Sequence, residues 1–217
     1  MFNSKDMKIM KLYFSPGACC MSCHIALEET KTPFELVYVG KNADEKIRKE
    51  YLKLNPLGAV PTLQLDNGKI LTQNIAILGY IADQKPEAGM LAKVGSWERA
   101  ETMCWLSVVA ADLHKSFAPL FAIDKITANV DAQKDIKKWS FANIDKYLSY
   151  LESYLQDKTY LVAEKFSIAD CYLFTVYQWT KKISFPIDKY SALNKYSDML
   201  SKRPSIMAVH KREEAFQ

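Results

Sequence analysis

Apolar positions follow two different rhythms along this chain. Up to about residue 72 they come in short runs: Ile9 to Phe14, Phe34 to Val39, Thr62 to Leu65 and Lys69 to Thr72. Runs of this length, rich in β-branched and aromatic residues and bounded by Pro, Gly, Asn or Asp, read as strands. The third and fourth are joined by Asp66-Asn67-Gly68, a hairpin signal. Between the first and second, Pro16-Gly17 marks a turn and Ile25 to Glu29 are good helix formers. Between the second and third, Lys41 to Leu54 is densely charged, with Ile47, Tyr51, Leu52 and Leu54 as a narrow apolar stripe that predicts an exposed helix. Gln73-Asn74 then reads as the cap of a helix through Asp83.

Beyond Pro86 to Gly95, which carries linker signals, the rhythm lengthens. Residues 96–120, 132–156 and 168–182 keep a helical period, and no strand pair is visible. In the first of these stretches Leu106, Val109, Leu113, Phe117 and Leu120 form a core stripe. Cys104, Ser107, Ala111, His114 and Ala118 share another face, small and polar enough to line a cleft, and Pro119 bends or ends the helix. Phe166-Ser167-Ile168-Ala169-Asp170 is a capping box, a folding motif. Arg203-Pro204-Ser205 opens a last short helix, and the residues after His210 read as a charged tail. The fold class predicted is α/β plus all-α. A β-α-β-α-β-β-α order, thioredoxin-like, occupies residues 8–87, a linker 88–95, and an all-helical C-terminal domain 96–217.

Charge and composition narrow the chemistry. A net charge of +4, spread without an aromatic-interleaved basic stripe, argues against nucleic acid as a partner. No apolar run approaches the roughly 20 residues of a membrane span. Met1 to Asp6 is polar, no targeting signal is visible, and the five cysteines form an odd, clustered set, so a cytoplasmic protein with reduced thiols is expected.

Three of those thiols, Cys19, Cys20 and Cys23, sit where the first strand hands over to the first helix. The unpaired N–H groups of a first helical turn favour thiolate over thiol, which makes this junction a place for sulfur chemistry. Cys20-Met21-Ser22-Cys23 is also a C-x-x-C redox signature, one residue out of phase with the turn. The alternative is that Cys20 and Cys23 face the sheet as packing. Cys104 and Cys171 read as structural, and Trp139, Tyr147, Tyr150, Tyr154 and Tyr160 as packing or interface groups. A lone histidine such as His114 is more often a solvated helix residue, but it shares its face with Ser107 and Ala111. His24 and His210 have no comparable setting. The dispersed histidines form no array with the thiols, and a metal is not expected.

Taken together, Ser15-Pro16-Gly17-Ala18-Cys19, Asn55-Pro56-Leu57-Gly58-Ala59-Val60-Pro61-Thr62-Leu63, the Asp66-Asn67-Gly68 hairpin and Phe166 to Asp170 resemble the bacterial cytosolic glutathione transferases, most of all the beta class. The resemblance runs from Met10 to about Val209. It implies a homodimer, a glutathione-binding first domain, a helical domain lining the pocket for a small hydrophobic electrophile, and detoxification chemistry with glutathione as co-substrate. By the same resemblance Cys19 and His114 are catalytic, and Cys19, Val60, Pro61, Gln73, Asn74, Ser107, Asp112 and His114 bind glutathione, with the Val60-Pro61 bond cis. The chain departs from the class at Gln73 and Asn74, where a glutamate followed by Ser or Gly is usual, and at Ser107, where asparagine is usual. The loop after the second strand is a residue shorter, and Lys41 is the nearest counterpart of a glutathione-contacting lysine. Two alternatives accompany conjugation: glutathione-dependent thiol–disulfide exchange through Cys19, and a non-catalytic ligand-binding protein of the same fold.

Overall fold

The computed structural model describes residues 9–216, so the polar stretch Met1 to Asp6 lies outside the described residues. Strand β1 (Met10–Phe14) leads to helix α1 (Met21–Glu29), strand β2 (Phe34–Tyr38), helix α2 (Glu45–Leu54), the hairpin β3 (Thr62–Gln64) and β4 (Ile70–Thr72), and helix α3 (Asn74–Gln84). The sheet order is β2-β1-β3-β4. β1 runs parallel to β2, with Met10 opposite Phe34, and antiparallel to β3, with Leu12 opposite Leu63. A parallel neighbour needs a crossover element and an antiparallel one does not, which is why a helix separates the first two strands and a tight turn the last two.

The predicted charged helix starts later than its composition indicates. Asp44 caps α2 by accepting from Lys46 N at 2.8 Å and Ile47 N at 3.2 Å, and 41–44 form the approach to it. On one side of the sheet, Leu12, Phe14 and Leu63 are fully buried, as are Ile25 and Leu27 of α1 and Ile77 and Leu78 of α3.

The remaining helices are α4 (Trp97–Ser107), α5 (His114–Phe121), α6 (Ile123–Ile126), α7 (Val130–Leu155), α8 (Ile168–Tyr177), α9 (Trp179–Lys182), α10 (Ser191–Ser201) and α11 (Pro204–Glu214). The stretch predicted as one helix over 96–120 is α4 and α5 joined by a π-helical segment, Val108–Leu113. Leu106, Val109, Leu113 and Phe117 are buried as the stripe requires, and Leu120 is half-buried. Pro119 lies inside α5, which ends two residues later. Helix α10 was not visible in the pattern. Its apolar face is interrupted by Asn194, Lys195 and Asp198, and it is anchored from outside by the buried Glu152, which accepts from Ala192 N and Leu193 N, both at 2.9 Å.

The chain divides into two compact units. One comprises the chain up to Leu91 together with the segment from Arg203 onward, and the other is Ala92–Lys202. This corrects the expected boundary of 96–217, because the terminal helix belongs with the first unit. It also corrects the charged tail. The residues after His210 are helical to Glu214, and two of their charges meet α1: Arg212 pairs with Glu28 and Glu213 with His24, while Arg203, just ahead of the helix, pairs with Glu29. Arg212 also lies over the Phe34 ring, 4.5 Å from its centroid, and Phe216 meets Phe14 edge-on at 5.1 Å.

The second unit is built around α8, every residue of which is buried. Its capping box is formed as predicted. Asp170 does more than cap. Its buried carboxylate accepts from Leu161 N at 2.9 Å, Ser167 N at 2.8 Å, Ser167 Oγ at 2.7 Å and Tyr196 OH at 2.9 Å, tying three segments together. Among the described residues no helix is long and apolar enough to cross a membrane.

Candidate functional site

The junction after β1 is a wound turn. Ala18 N donates to Ser15 O and Met21 N to Ala18 O, at 3.1 and 3.0 Å. Gly17 has a φ of 62°, the left-handed region where a Cβ is unwelcome, and its N–H donates 2.8 Å to the carboxylate of Glu213 on α11. Glu213 is itself buried, and its other oxygen lies 3.0 Å from Nδ1 of the buried His24 on α1. Glu213 and His24 were not singled out by the sequence. A glutamate near a chain end carries no local signal that it will be buried.

This turn sorts the three thiols. Cys20 sits at the cap position of α1, fully buried. Its thiol donates to Ser15 O at 3.2 Å, and burial holds it well above the usual cysteine range. Cys23 is buried too, its sulfur 3.3 Å from Asn74 Oδ1. None of the five cysteines is in a disulfide. Of the two readings of Cys20 and Cys23, packing is the observed one. Cys19 alone of the three is partly exposed, just ahead of the helix, and its thiol donates to the Val60 carbonyl at 3.2 Å.

The loop carrying Val60 is held from behind. Asn55 Nδ2 donates to Ala59 O at 2.8 Å and to Thr62 Oγ1 at 3.0 Å, and Tyr51 OH also donates to Ala59 O. The Val60–Pro61 bond is cis, as the resemblance implied. Periodicity assigns Tyr51 only to the narrow apolar stripe of α2. Its hydroxyl is a second role that periodicity does not reveal.

Gln73 and Asn74 are placed differently from one another. Gln73 is exposed at the start of α3, with φ 72°, an unusual value for a residue with a side chain. Its side chain makes no capping bond, which corrects the expectation that this pair caps the helix. Asn74 is only 8% exposed. It turns inward, where Nδ2 donates to the Cys19 carbonyl at 2.8 Å and Oδ1 accepts from Ser22 Oγ at 2.9 Å. The structure thus brings Cys19, Val60, Pro61 and Asn74 together within the first unit. Lys41 is exposed on the loop after β2.

In the second unit, His114 begins α5 immediately after the π-helical segment. Its Nδ1 is 2.7 Å from the hydroxyl of the buried Tyr172, and its ring meets Trp179 nearly perpendicular at 4.7 Å. Burial, with a smaller contribution from Lys115, lowers its pKa to about 4, so the imidazole is neutral at pH 7. Asp112 accepts from Tyr147 OH at 3.2 Å, while exposed Ser107 donates back to its own helix at Met103 O. Cys104 is exposed rather than a packed structural thiol, because the predicted second face of α4 is open within this unit. Cys171 is buried as expected. Among the described residues no group of three or more His, Cys, Asp or Glu could hold a metal ion.

Residues 8–83 match the family model for the glutathione S-transferase N-terminal domain, and 106–204 that for its C-terminal domain. The chain is 35% identical over 203 residues to glutathione S-transferase GstA of Escherichia coli O157:H7, covering 91% of this chain and 95% of that protein. It is 36% identical to the bacterial beta class glutathione S-transferase of Sphingomonas chungbukensis, with a TM-score of 0.83 over 94% of this chain and 98% of that one. A sphingomonad glutathione S-transferase solved in complex with glutathione is similar at 35% identity and the same TM-score, over 94% and 98%. The fold, both domain matches and these relatives agree: the chain belongs to the glutathione S-transferase family and is most like its beta class.

Proposed function

We propose that this protein transfers the glutathione thiol to small hydrophobic electrophiles. The observation that carries the reading is the setting of Cys19. It is the accessible thiol at the start of α1, and its sulfur touches the carbonyl of Val60 beside a cis proline. In the reaction the glutathione thiolate attacks an electrophilic carbon, a C–S bond forms and a leaving group such as chloride departs with the electron pair. Binding both reactants on one protein supplies proximity, and lowering the thiol pKa supplies the nucleophile. Gln73 and the first backbone N–H groups of α3 are assigned to the γ-glutamyl end, since a helix start welcomes a carboxylate. His114 is carried over from the resemblance as a second catalytic residue, supported by its setting within its own unit. Its ring nitrogen Nδ1 lies 2.7 Å from the Tyr172 hydroxyl and its imidazole is neutral at pH 7, a state in which one ring nitrogen donates a proton and the other accepts one.

The test is conjugation of glutathione to chlorodinitrobenzene, alongside glutathione binding by calorimetry. Turnover that falls in Cys19→Ala and His114→Ala supports the assignment. A folded wild type with neither binding nor turnover overturns it.

Thiol–disulfide exchange is the second reading, favoured by the same exposure of Cys19. Its thiolate would attack oxidised glutathione, forming a protein–glutathione disulfide and releasing one glutathione thiolate. Intact mass after incubation with oxidised glutathione decides it: a single adduct absent in Cys19→Ala is required.

A cytoplasmic homodimer is part of the proposal. The dimer follows from the family resemblance and is supported by large apolar side chains left open on each unit, such as Leu57 and Trp97, both 76% exposed. Light scattering at twice the chain mass is the expected result.

A further inference from the structure

We propose that Asn74 is a positioning residue for Cys19: its side-chain amide locks the peptide that follows the reactive thiol. The inference rests on the reading of Cys19 as the site thiol and concerns how that thiol is held before any ligand arrives. Asn74 is the first residue of α3, a place where a polar side chain ordinarily caps its own helix or faces solvent, and it does neither. Its Nδ2 crosses to the Cys19 carbonyl at 2.8 Å. Its Oδ1 accepts from two groups on the next turn of α1, Ser22 Oγ at 2.9 Å and the Cys23 thiol at 3.3 Å. Ser22 Oγ also lies 2.7 Å from the Cys19 carbonyl, and Ser22 N donates to that carbonyl at 3.2 Å. One amide therefore bridges the peptide of Cys19 and the buried end of the C-x-x-C pair, and the side chains of Asn74, Ser22 and Cys23 that form the bridge are all buried.

The geometry has a chemical consequence. A trans peptide points its N–H opposite to its carbonyl. With the Cys19 carbonyl drawn toward α3 and into the helix, the N–H of Cys20 is turned toward the open end of α1, the end where a sulfur anion is favoured. The same anchor fixes the Cys19 backbone from which Sγ reaches the Val60 carbonyl. The bond from Asn74 Oδ1 also gives the Cys23 thiol an acceptor, so the second cysteine of the motif becomes part of the scaffold. Without this amide the first turn of α1 loses its link to α3, the peptide dipoles around Cys19 lose their alignment, and the thiolate is less favoured.

The experiment is the pH profile of Cys19 alkylation in the protein without glutathione, read by peptide-resolved mass spectrometry so that Cys104 is counted separately. In Asn74→Ala the profile is expected to move up by about half a pH unit or more, roughly a threefold slower reaction at pH 7. Asn74→Asp, an isostere that cannot donate to the Cys19 carbonyl and adds a negative charge, is expected to move it further in the same direction. A variant that only loosens the fold lowers the melting temperature without displacing this profile. If the profile stays in place while glutathione affinity drops, Asn74 is a direct ligand of the tripeptide and the proposal is overturned; an unmoved profile with unmoved affinity overturns it equally. If neither variant folds, the wild type decides. The Asn74 side-chain amide signal, followed by NMR, is expected to titrate with the midpoint of Cys19, and a flat signal overturns the proposal. A wild type that binds no glutathione while the variants shift Cys19 leaves the proposal standing and removes the transferase reading.

Discussion

Cys19, Cys20 and Cys23 show how little separates a reactive residue from an inert one. They lie within five positions of each other, yet only Cys19 escapes burial. Brief alkylation of the native protein at neutral pH is therefore expected to label Cys19 and Cys104, leaving Cys20, Cys23 and Cys171 unmodified until denaturant is added; peptide mapping checks this. His114 allows a sharper test. Its pKa in the folded protein, about 4, lies below the value of about 6.5 for an unfolded histidine, so the unfolded chain binds more protons between those values. Stability assigned to this group is complete above about pH 6.5 and declines as pH falls toward 4, by at most about 3 kcal/mol. Replacing His114 with Asn is expected to flatten that part of the denaturant-midpoint profile. In Tyr172→Phe, which removes the hydroxyl 2.7 Å from Nδ1, a largely buried hydrogen bond is lost and urea unfolding is expected to show a cost of about 1 kcal/mol.

At the scale of elements, the capping box illustrates a motif whose local reading understates its weight. Ser167 does what any good N-cap does, and Ser167→Ala is expected to cost about 1 kcal/mol in urea unfolding. Asp170 also serves Leu161 N and Tyr196 OH, so Asp170→Ala leaves several buried donors unpaired and is expected to cost about 3 kcal/mol or more. A result of about 1 kcal/mol for both would mean that only the cap matters. The π-helical segment between α4 and α5 has no sequence signature of this kind. A residue added to one turn shifts the phase of everything after it, so whether His114 shares a face with Ser107 depends on backbone geometry that a helical wheel assumes away.

Within the first unit as a whole, α11 closes the structure that holds the thiol. Its Glu213 reaches the Gly17 N–H and His24, its Arg212 reaches Glu28, and Arg203 at its N-cap reaches Glu29. Glu213→Ala is expected to destabilise this unit by about 2–4 kcal/mol, since a part-buried N–H and Nδ1 of a buried imidazole both lose this carboxylate, with Glu213→Gln losing less. Hydrogen exchange localised to Ser15 through Cys19 is the check: slower or unchanged exchange there in Glu213→Ala would show that the turn does not depend on α11.

Much of this protein follows from the amino-acid order alone. The Asp66-Asn67-Gly68 turn, the start of α8 and the winding of Ser15 into α1 rest on contacts between near neighbours, and local geometry dictates them. Long-range pairings follow other rules. That Asn74 turns inward to the Cys19 carbonyl, that Glu213 returns across 196 residues to Gly17, and that Glu152 anchors α10 were decided only in the tertiary structure. Each is a buried polar group satisfied by a partner far away in sequence. Burial makes such a partner obligatory, but nothing local says which residue will supply it.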